Sequence, residues 1–83
     1  MKQIAYSKAA LKSLRRIPAN AARRIREKIE QYAAEPASQA NNVITLQGRD
    51  GIRLRVGDWR VIMDDQGNVL DVIEIGPRGG IYD

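Results

Sequence analysis

The chain has 83 residues and a net charge of +4, so it is long enough for one domain with a single thin core. It contains no cysteine and no histidine, which excludes disulfide bonds, thiolate nucleophiles, Cys/His zinc sites and imidazole acid–base catalysis. No apolar run resembles a signal peptide or a membrane span, so we expect a soluble cytoplasmic protein.

Arginine dominates the positive charge, since ten of the fourteen cations are arginine. Its planar guanidinium binds phosphate in bidentate fashion and stays charged at any biological pH. The composition therefore favours a polyanionic partner, nucleic acid first and an acidic protein second. The simpler alternative is that much of this charge is a solvated helix face.

The N-terminal half predicts one strand followed by two helices. "MKQIAY" has the spacing of a short strand, and Ser7 is a good N-cap for the helix "SKAALKSLRRI". Pro18 ends that helix, and "ANAARRIREKIEQYAAEP" then predicts a longer amphipathic helix that closes at Pro36. The connection is short, so we expect an antiparallel helical hairpin.

The C-terminal half predicts strands. "ASQANN" has the composition of a loop, and after "VITLQGRDG" the runs "IRLRV", "WRVIMD" and "VLDVIEI" follow, separated by the turn signals "GD" and "DQGN". The expected fold is α+β, in the order β-α-α-β-β-β. One domain, residues 1–83, then consists of an antiparallel four-stranded sheet with the helical hairpin packed on one face.

The run "IRLRV" separates apolar and charged residues by parity. Ile52, Leu54 and Val56 point to one side of the strand, and Arg53 and Arg55 point to the other. The apolar side must face the helices, so the two arginines stand on the open face about 7 Å apart. A bound polyanion would offset their mutual repulsion. The alternative is an exposed strand face with no ligand.

Two further arginines follow in the next strands. Arg60 lies in "WRVIMD", and Arg78 follows the last strand. Convergence of the four arginines on one face is a hypothesis about strand register. The last two strands are apolar on both parities, which predicts that a second copy of the chain, a terminal segment or a partner protein covers part of the second face.

The segment "RLRVGDWRVI" and the ending "IGPRGGIYD" together resemble the RelE/ParE superfamily of bacterial toxins, with its RelE-type messenger RNA interferases the most similar branch. The resemblance spans nearly the whole chain. It implies a toxin of a type II toxin–antitoxin system that cleaves messenger RNA in the ribosomal decoding site. It also implies cleavage without a metal or other cofactor, and a co-encoded antitoxin as partner.

The resemblance also implies a set of catalytic residues. Its members lie on the open sheet face and in the segment after the last strand: Arg53, Arg55, Arg60, Arg78 and Tyr82. We add Arg49 and Trp59 as RNA-binding residues. The glycines of "IGPRGGIYD" would let the backbone turn so that Arg78 and Tyr82 reach this face.

The implied reaction is attack of a ribose 2′-OH on the adjacent phosphate. Arginine stabilises the charge of the phosphorane but is a poor base, because it has no useful neutral form. Tyr82 is the best candidate for the base or for a ring that stacks on RNA, and Asp58 and Glu74 are carboxylate alternatives. Met63 and Pro77 depart from the family pattern, which implies one stacking ring and one proton donor fewer.

Two other functions are consistent with the sequence. A ParE-like toxin of the same fold would inhibit DNA gyrase by binding, without RNA chemistry. A plain nucleic-acid-binding module would use the helix that contains "ARRIREK". The antitoxin expected for either toxin is a helical or extended segment with acidic and apolar residues.

Overall fold

The computed structural model describes residues 2–48 and 50–77. Strand β1 (Gln3–Tyr6) leads into helices α1 (Lys8–Arg16) and α2 (Ala19–Ala34) and a short 3-10 helix (Pro36–Asn42). The strands β2 (Val43–Thr45), β3 (Ile52–Val56), β4 (Trp59–Asp65) and β5 (Val69–Pro77) complete the fold. The predicted α+β class and the helical hairpin at the N-terminal end are confirmed.

The sheet has five strands in the order β1-β5-β4-β3-β2, where four were predicted. The additional strand is β2, in which Val43 pairs with Leu54. The sheet is also mixed, because β1 runs parallel to β5. The helices carry the chain from β1 to the opposite edge, and the antiparallel meander β2 to β5 then returns beside β1.

The start of α1 is fixed by one serine. The Ser7 hydroxyl accepts a hydrogen bond from the Ala10 N–H at 3.0 Å and donates one to the Ile73 carbonyl of β5. It is thus the N-cap predicted from the sequence and also a link between helix and sheet. Helix α2 begins after Pro18, which supplies no side-chain cap.

The core fills the space between the two helices and one face of the sheet. Helix α1 contributes Ala10 and Leu14, and α2 contributes residues at helical spacing, among them Ile25 and Ile29. The sheet contributes alternate residues of β3, β4 and β5, which are Leu54, Val56, Val61, Met63, Leu70, Val72 and Ile75.

A β-bulge explains why β5 is apolar on both parities. Ile62 pairs with Glu74 while Met63 pairs with Val72, so Ile73 is an extra residue in β5. The shift lets Val72 and Ile75 both face the core, although they are an odd number of positions apart in the strand. The bulge therefore adds Ile75 to the helix-covered face, whereas Ile62 of β4 is fully buried on the other face, in the row of Glu74 and Arg53.

A polar cluster joins Lys2, the residue before β1, to α2 and β4. Lys2 Nζ lies 3.1 Å from Asp65 Oδ1, and the Tyr32 hydroxyl donates to Asp65 Oδ2 at 2.9 Å. Burial and the bond to Asp65 raise the pKa of Tyr32 to about 12. Partial burial would raise the pKa of Asp65, but hydrogen bonds from Gly67, Tyr32 and Lys2 outweigh it and lower that pKa.

Within the described residues, no helix combines the length and the apolar character that crossing a membrane requires.

Candidate functional site

Three arginines share the face of the sheet that points away from the helices. Arg55 pairs directly with Arg60, and Arg53 pairs with Ile62. Directly paired residues of antiparallel strands project to the same side. The intervening pair, Leu54 and Val61, lies in the core on the other side. We call the surface formed by Arg53, Arg55 and Arg60 the arginine face.

The three side chains lie close together but differ in exposure. Strand geometry places Arg53 about 7 Å from Arg55 along β3 and the Cβ atoms of Arg55 and Arg60 about 5 Å apart. Arg55 is exposed and Arg53 is half-buried, whereas Arg60 is only 5% exposed. Among the described residues, Arg55 has no side-chain hydrogen bond or ion pair. Arg55 is therefore the member best placed to meet an external anion.

The end of β5 runs beside Arg60, because Arg60 pairs with Gly76. Strand β5 ends at Pro77, so Arg78 is the next residue of the chain. Arg78, Tyr82 and Arg49 lie outside the described residues. Their assignment to the site stays a prediction.

Two positions with a predicted relation to RNA stacking or binding lie on the opposite face. Trp59 pairs with Val56 and packs against the core on the helix side. Met63 is fully buried in the same core. The structure thus separates Trp59 from the arginines. The expected loss of a stacking ring at Met63 was wrong, because a side chain at this position does not reach the arginine face.

One carboxylate lies in the same cross-strand row as Arg53. Glu74 pairs with Ile62, which in turn pairs with Arg53, so the three side chains form a row across β5, β4 and β3. The bulge at Ile73 fixes this orientation, and the parity of "VLDVIEI" alone could not reveal it. Asp58, the other carboxylate alternative, is exposed in the turn between β3 and β4, outside this row.

The other end of the open face is acidic. Asp64 pairs with Asp71, and the amide nitrogen of Gln66 bridges them, 3.3 Å from Asp64 Oδ2 and 3.0 Å from Asp71 Oδ2. The open face is therefore bipolar, with arginines on β3 and the start of β4 and carboxylates at the opposite end. Ile44, which pairs with Arg53, is half exposed and adds an apolar contact beside the arginines.

No group of three or more His, Cys, Asp or Glu side chains that could hold a metal ion occurs within residues 2–48 and 50–77. The described residues of the arginine face and its row supply guanidinium groups and one neighbouring carboxylate. Guanidinium groups bind phosphate and stabilise negative charge, and a carboxylate accepts protons.

Residues 4–82 match a family model described as the ParE toxin of the type II toxin–antitoxin system parDE. No curated protein sequence matches the chain at a significant level.

Solved structures of RelE proteins have a similar fold. A chain of the archaeal RelE–RelB complex from Pyrococcus horikoshii OT3 is 29% identical, with 96% of this chain and 98% of that chain covered and a TM-score of 0.77. The isolated E. coli RelE toxin is 19% identical, with 94% and 85% covered and a TM-score of 0.76. A chain of the intact E. coli RelBE toxin–antitoxin complex is 23% identical, with 93% and 96% covered and a TM-score of 0.70.

Proposed function

The chain belongs to the RelE/ParE superfamily of toxins from type II toxin–antitoxin systems, and from that premise we propose that it is a ribosome-dependent messenger RNA endoribonuclease. The observation that carries this proposal is the convergence of Arg53, Arg55 and Arg60 on the sheet face that points away from the helices. Arg55 and Arg60, whose Cβ atoms lie about 5 Å apart, supply two positive charges that can stabilise one phosphate in its transition state, and Arg53 lies about 7 Å further along β3.

The proposed reaction is an intramolecular transfer of phosphorus. The ribose 2′-oxygen attacks the adjacent phosphorus, the bond from phosphorus to the 5′-oxygen breaks, and the products are a 2′,3′-cyclic phosphate and a free 5′-hydroxyl. Arg55 and Arg60 stabilise the extra negative charge on the phosphorane oxygens, and Arg53 and Arg78 hold the flanking phosphates. The ribosome supplies the in-line orientation of the RNA.

Proton transfer needs a base, and Glu74 fits this role better than Tyr82. Glu74 lies in the same row as Arg53, and a carboxylate is ionised at neutral pH, whereas an ordinary tyrosine with a pKa of about 10 is not. We therefore assign removal of the 2′-OH proton to Glu74. Tyr82 then provides a ring that stacks on a base of the RNA, and Arg49 binds the phosphate backbone. The proton that the 5′-oxygen gains comes from solvent.

The inhibitory partner is a co-encoded antitoxin. The similar structures include RelE bound to RelB, and the open face offers cations, carboxylates and the half-exposed Ile44 along one surface. An antitoxin segment with acidic and apolar residues matches the arginine end of this face. Because it binds the folded toxin, it also raises the toxin's apparent stability.

Inhibition of DNA gyrase is the second candidate function. The matching family model is described as the ParE toxin, and the fold alone is compatible with both activities. The two activities leave different products in the cell. A nuclease breaks translated messages, whereas a gyrase inhibitor leaves messages intact and breaks DNA.

The test is to induce the protein in bacteria and map RNA ends across the transcriptome while monitoring the DNA-damage response. The nuclease proposal predicts new 5′-hydroxyl ends within translated codons and no early DNA-damage response. Intact messages together with a strong DNA-damage response would contradict it and support gyrase inhibition.

A further inference from the structure

The positive charge of the chain is concentrated in its N-terminal part. Residues 1–26 contain eight lysines and arginines and no aspartate or glutamate, whereas residues 27–83 contain six cations and ten carboxylates. The arginine face belongs to the second group. The excess charge of the protein therefore lies elsewhere, mainly on the helical hairpin that covers the other side of the sheet.

Helix α1 displays four of these cations on one surface. Lys8, Lys12, Arg15 and Arg16 are all exposed. At 3.6 residues per turn they fall within an arc of about 100°. The buried residues Ala10 and Leu14 lie on the opposite side of the helix. We call this surface the basic face of α1.

Folding does not account for the whole basic face. Arg15 and Arg16 lie in the last turn, where the helix dipole favours cations. Lys8 lies in the first turn, where the dipole disfavours a cation, and Lys12 lies four residues from both Lys8 and Arg16, a spacing at which like charges destabilise a helix. None of the four has a side-chain partner among the described residues. An external anion would relieve this repulsion.

We propose that the basic face of α1 binds the phosphate backbone of double-stranded RNA, as a second RNA contact separate from the arginine face. The choice of RNA over DNA rests on the proposed nuclease function. Helix α1 packs on the core-facing side of the sheet and the arginines lie on the other side. The protein thus contacts two RNA segments on opposite sides. The arginine face contacts the segment that is cleaved, and the basic face of α1 contacts a segment that is bound but not cleaved.

The composition of the face favours RNA over a protein partner. Its exposed residues are four cations and the small Ala9. Ile44, on the other side of the sheet, is the large hydrophobic residue that the described part of the chain leaves exposed. Protein interfaces depend on buried aromatic or aliphatic anchors. Phosphate binding requires only positive charge and the release of counterions.

The experiment measures binding of the purified protein to a 16-base-pair duplex of 2′-O-methyl RNA over a range of salt concentrations. This probe has no free 2′-OH, so binding is independent of cleavage. The variant Lys8→Gln/Lys12→Gln is compared with Arg23→Gln/Lys28→Gln, which removes the same charge from α2. We expect the α1 variant to lower affinity by about 10- to 60-fold at 0.1 M salt and the salt slope by about 1.5. The α2 control should change affinity less than 3-fold.

Three results would overturn the inference: no binding of the duplex by the wild-type protein, equal losses in the two variants, or loss of antitoxin binding instead of RNA binding in the α1 variant. Mapping of RNA ends after induction tests the nuclease separately. If the protein cleaves RNA but does not bind the duplex, the second RNA contact is wrong and the nuclease proposal stands. If the protein binds the duplex through α1 but cleaves no RNA, the nuclease proposal is wrong and the second contact stands.

Discussion

At the scale of single residues, Arg55 and Arg60 are direct neighbours with different surroundings. Arg55 is exposed, whereas Arg60 is 5% exposed. We expect Arg55→Ala to abolish most cleavage and to change the free energy of unfolding by less than about 0.5 kcal/mol, as is usual for exposed positions. Arg60→Ala should lower both, with a loss of stability of about 1–3 kcal/mol, because truncating a buried side chain removes its packing contacts.

Cleavage assays and urea denaturation of the two variants check this difference. Arg23→Ala, an exposed arginine of α2, is the matched control and should retain both activity and stability. An Arg55→Ala protein that is as destabilised as Arg60→Ala, or that still cleaves RNA at the wild-type rate, would contradict the geometry of the arginine face.

The assignment of the base is tested by Glu74→Gln, which keeps the size of the side chain and removes its ability to accept a proton. We expect the single-turnover cleavage rate to fall by about 10²- to 10⁴-fold, the usual effect of losing a general base. RNA affinity should be unchanged or slightly higher. Tyr82→Phe keeps the stacking ring and should cost less than 10-fold. If Tyr82→Phe is the more damaging change, the two roles must be exchanged.

At the scale of secondary-structure elements, the sequence predicted most of the features that neighbouring residues in the chain determine. The two helices, their break at Pro18 and the N-cap Ser7 follow from short-range patterns and are confirmed. Strand β2 was missed because only three residues pair, as part of a longer loop. The parallel partner of β1 and the bulge at Ile73 depend on long-range register, which local patterns do not determine.

The arginine face was likewise predicted in part: its alternation along one strand was predicted correctly, but the position of Trp59 was not. The alternation in "IRLRV" predicted that Arg53 and Arg55 share a face, and the pairing of Arg55 with Arg60 is consistent with the predicted convergence. Trp59 was grouped with the arginines because it is the neighbour of Arg60 in sequence. Adjacent residues of a strand point to opposite faces, and this places Trp59 on the core side.

The double role of Ser7 gives a prediction at this scale. Ser7→Ala removes the N-cap of α1 and leaves the Ile73 carbonyl at the bulge without its donor. We expect the free energy of unfolding to fall by about 1–2 kcal/mol. Urea denaturation measures the change, with Ser13→Ala inside α1 as the control that should be neutral or slightly stabilising. Equal effects of the two substitutions would show that the cap does not anchor α1.

At the scale of the whole molecule, the cluster of Lys2, Tyr32 and Asp65 ties α2 and β4 to the residue that precedes β1. The pKa of Asp65 is lowered from 3.8, so its contribution to stability is present above about pH 4 and is lost as the pH falls through the lowered value. The pKa of Tyr32 is raised to about 12, so its contribution is present below about pH 10 and is lost as the pH rises through 12.

Asp65→Asn should therefore weaken the loss of stability between about pH 7 and pH 2, and it should destabilise the protein by about 1 kcal/mol or more at pH 7. Urea denaturation at several pH values measures both effects. Asp58→Asn, in the exposed turn between β3 and β4, is the control. If the two variants have the same acid profile, the cluster does not contribute to the pH dependence of folding.

The two sides of the molecule have different chemistry. One side of the sheet carries the arginine face with Glu74, and the other carries the helices with the basic face of α1. The central claim is that the first of these surfaces cleaves RNA.

The most direct test of that claim is the end chemistry of RNA from ribosomes incubated with purified wild-type, Arg55→Ala and Arg23→Ala proteins. We expect 2′,3′-cyclic phosphate and 5′-hydroxyl ends with the wild-type and Arg23→Ala proteins and a loss of at least 100-fold with Arg55→Ala. Intact messenger RNA with all three proteins, or equal cleavage by all three, would contradict the account.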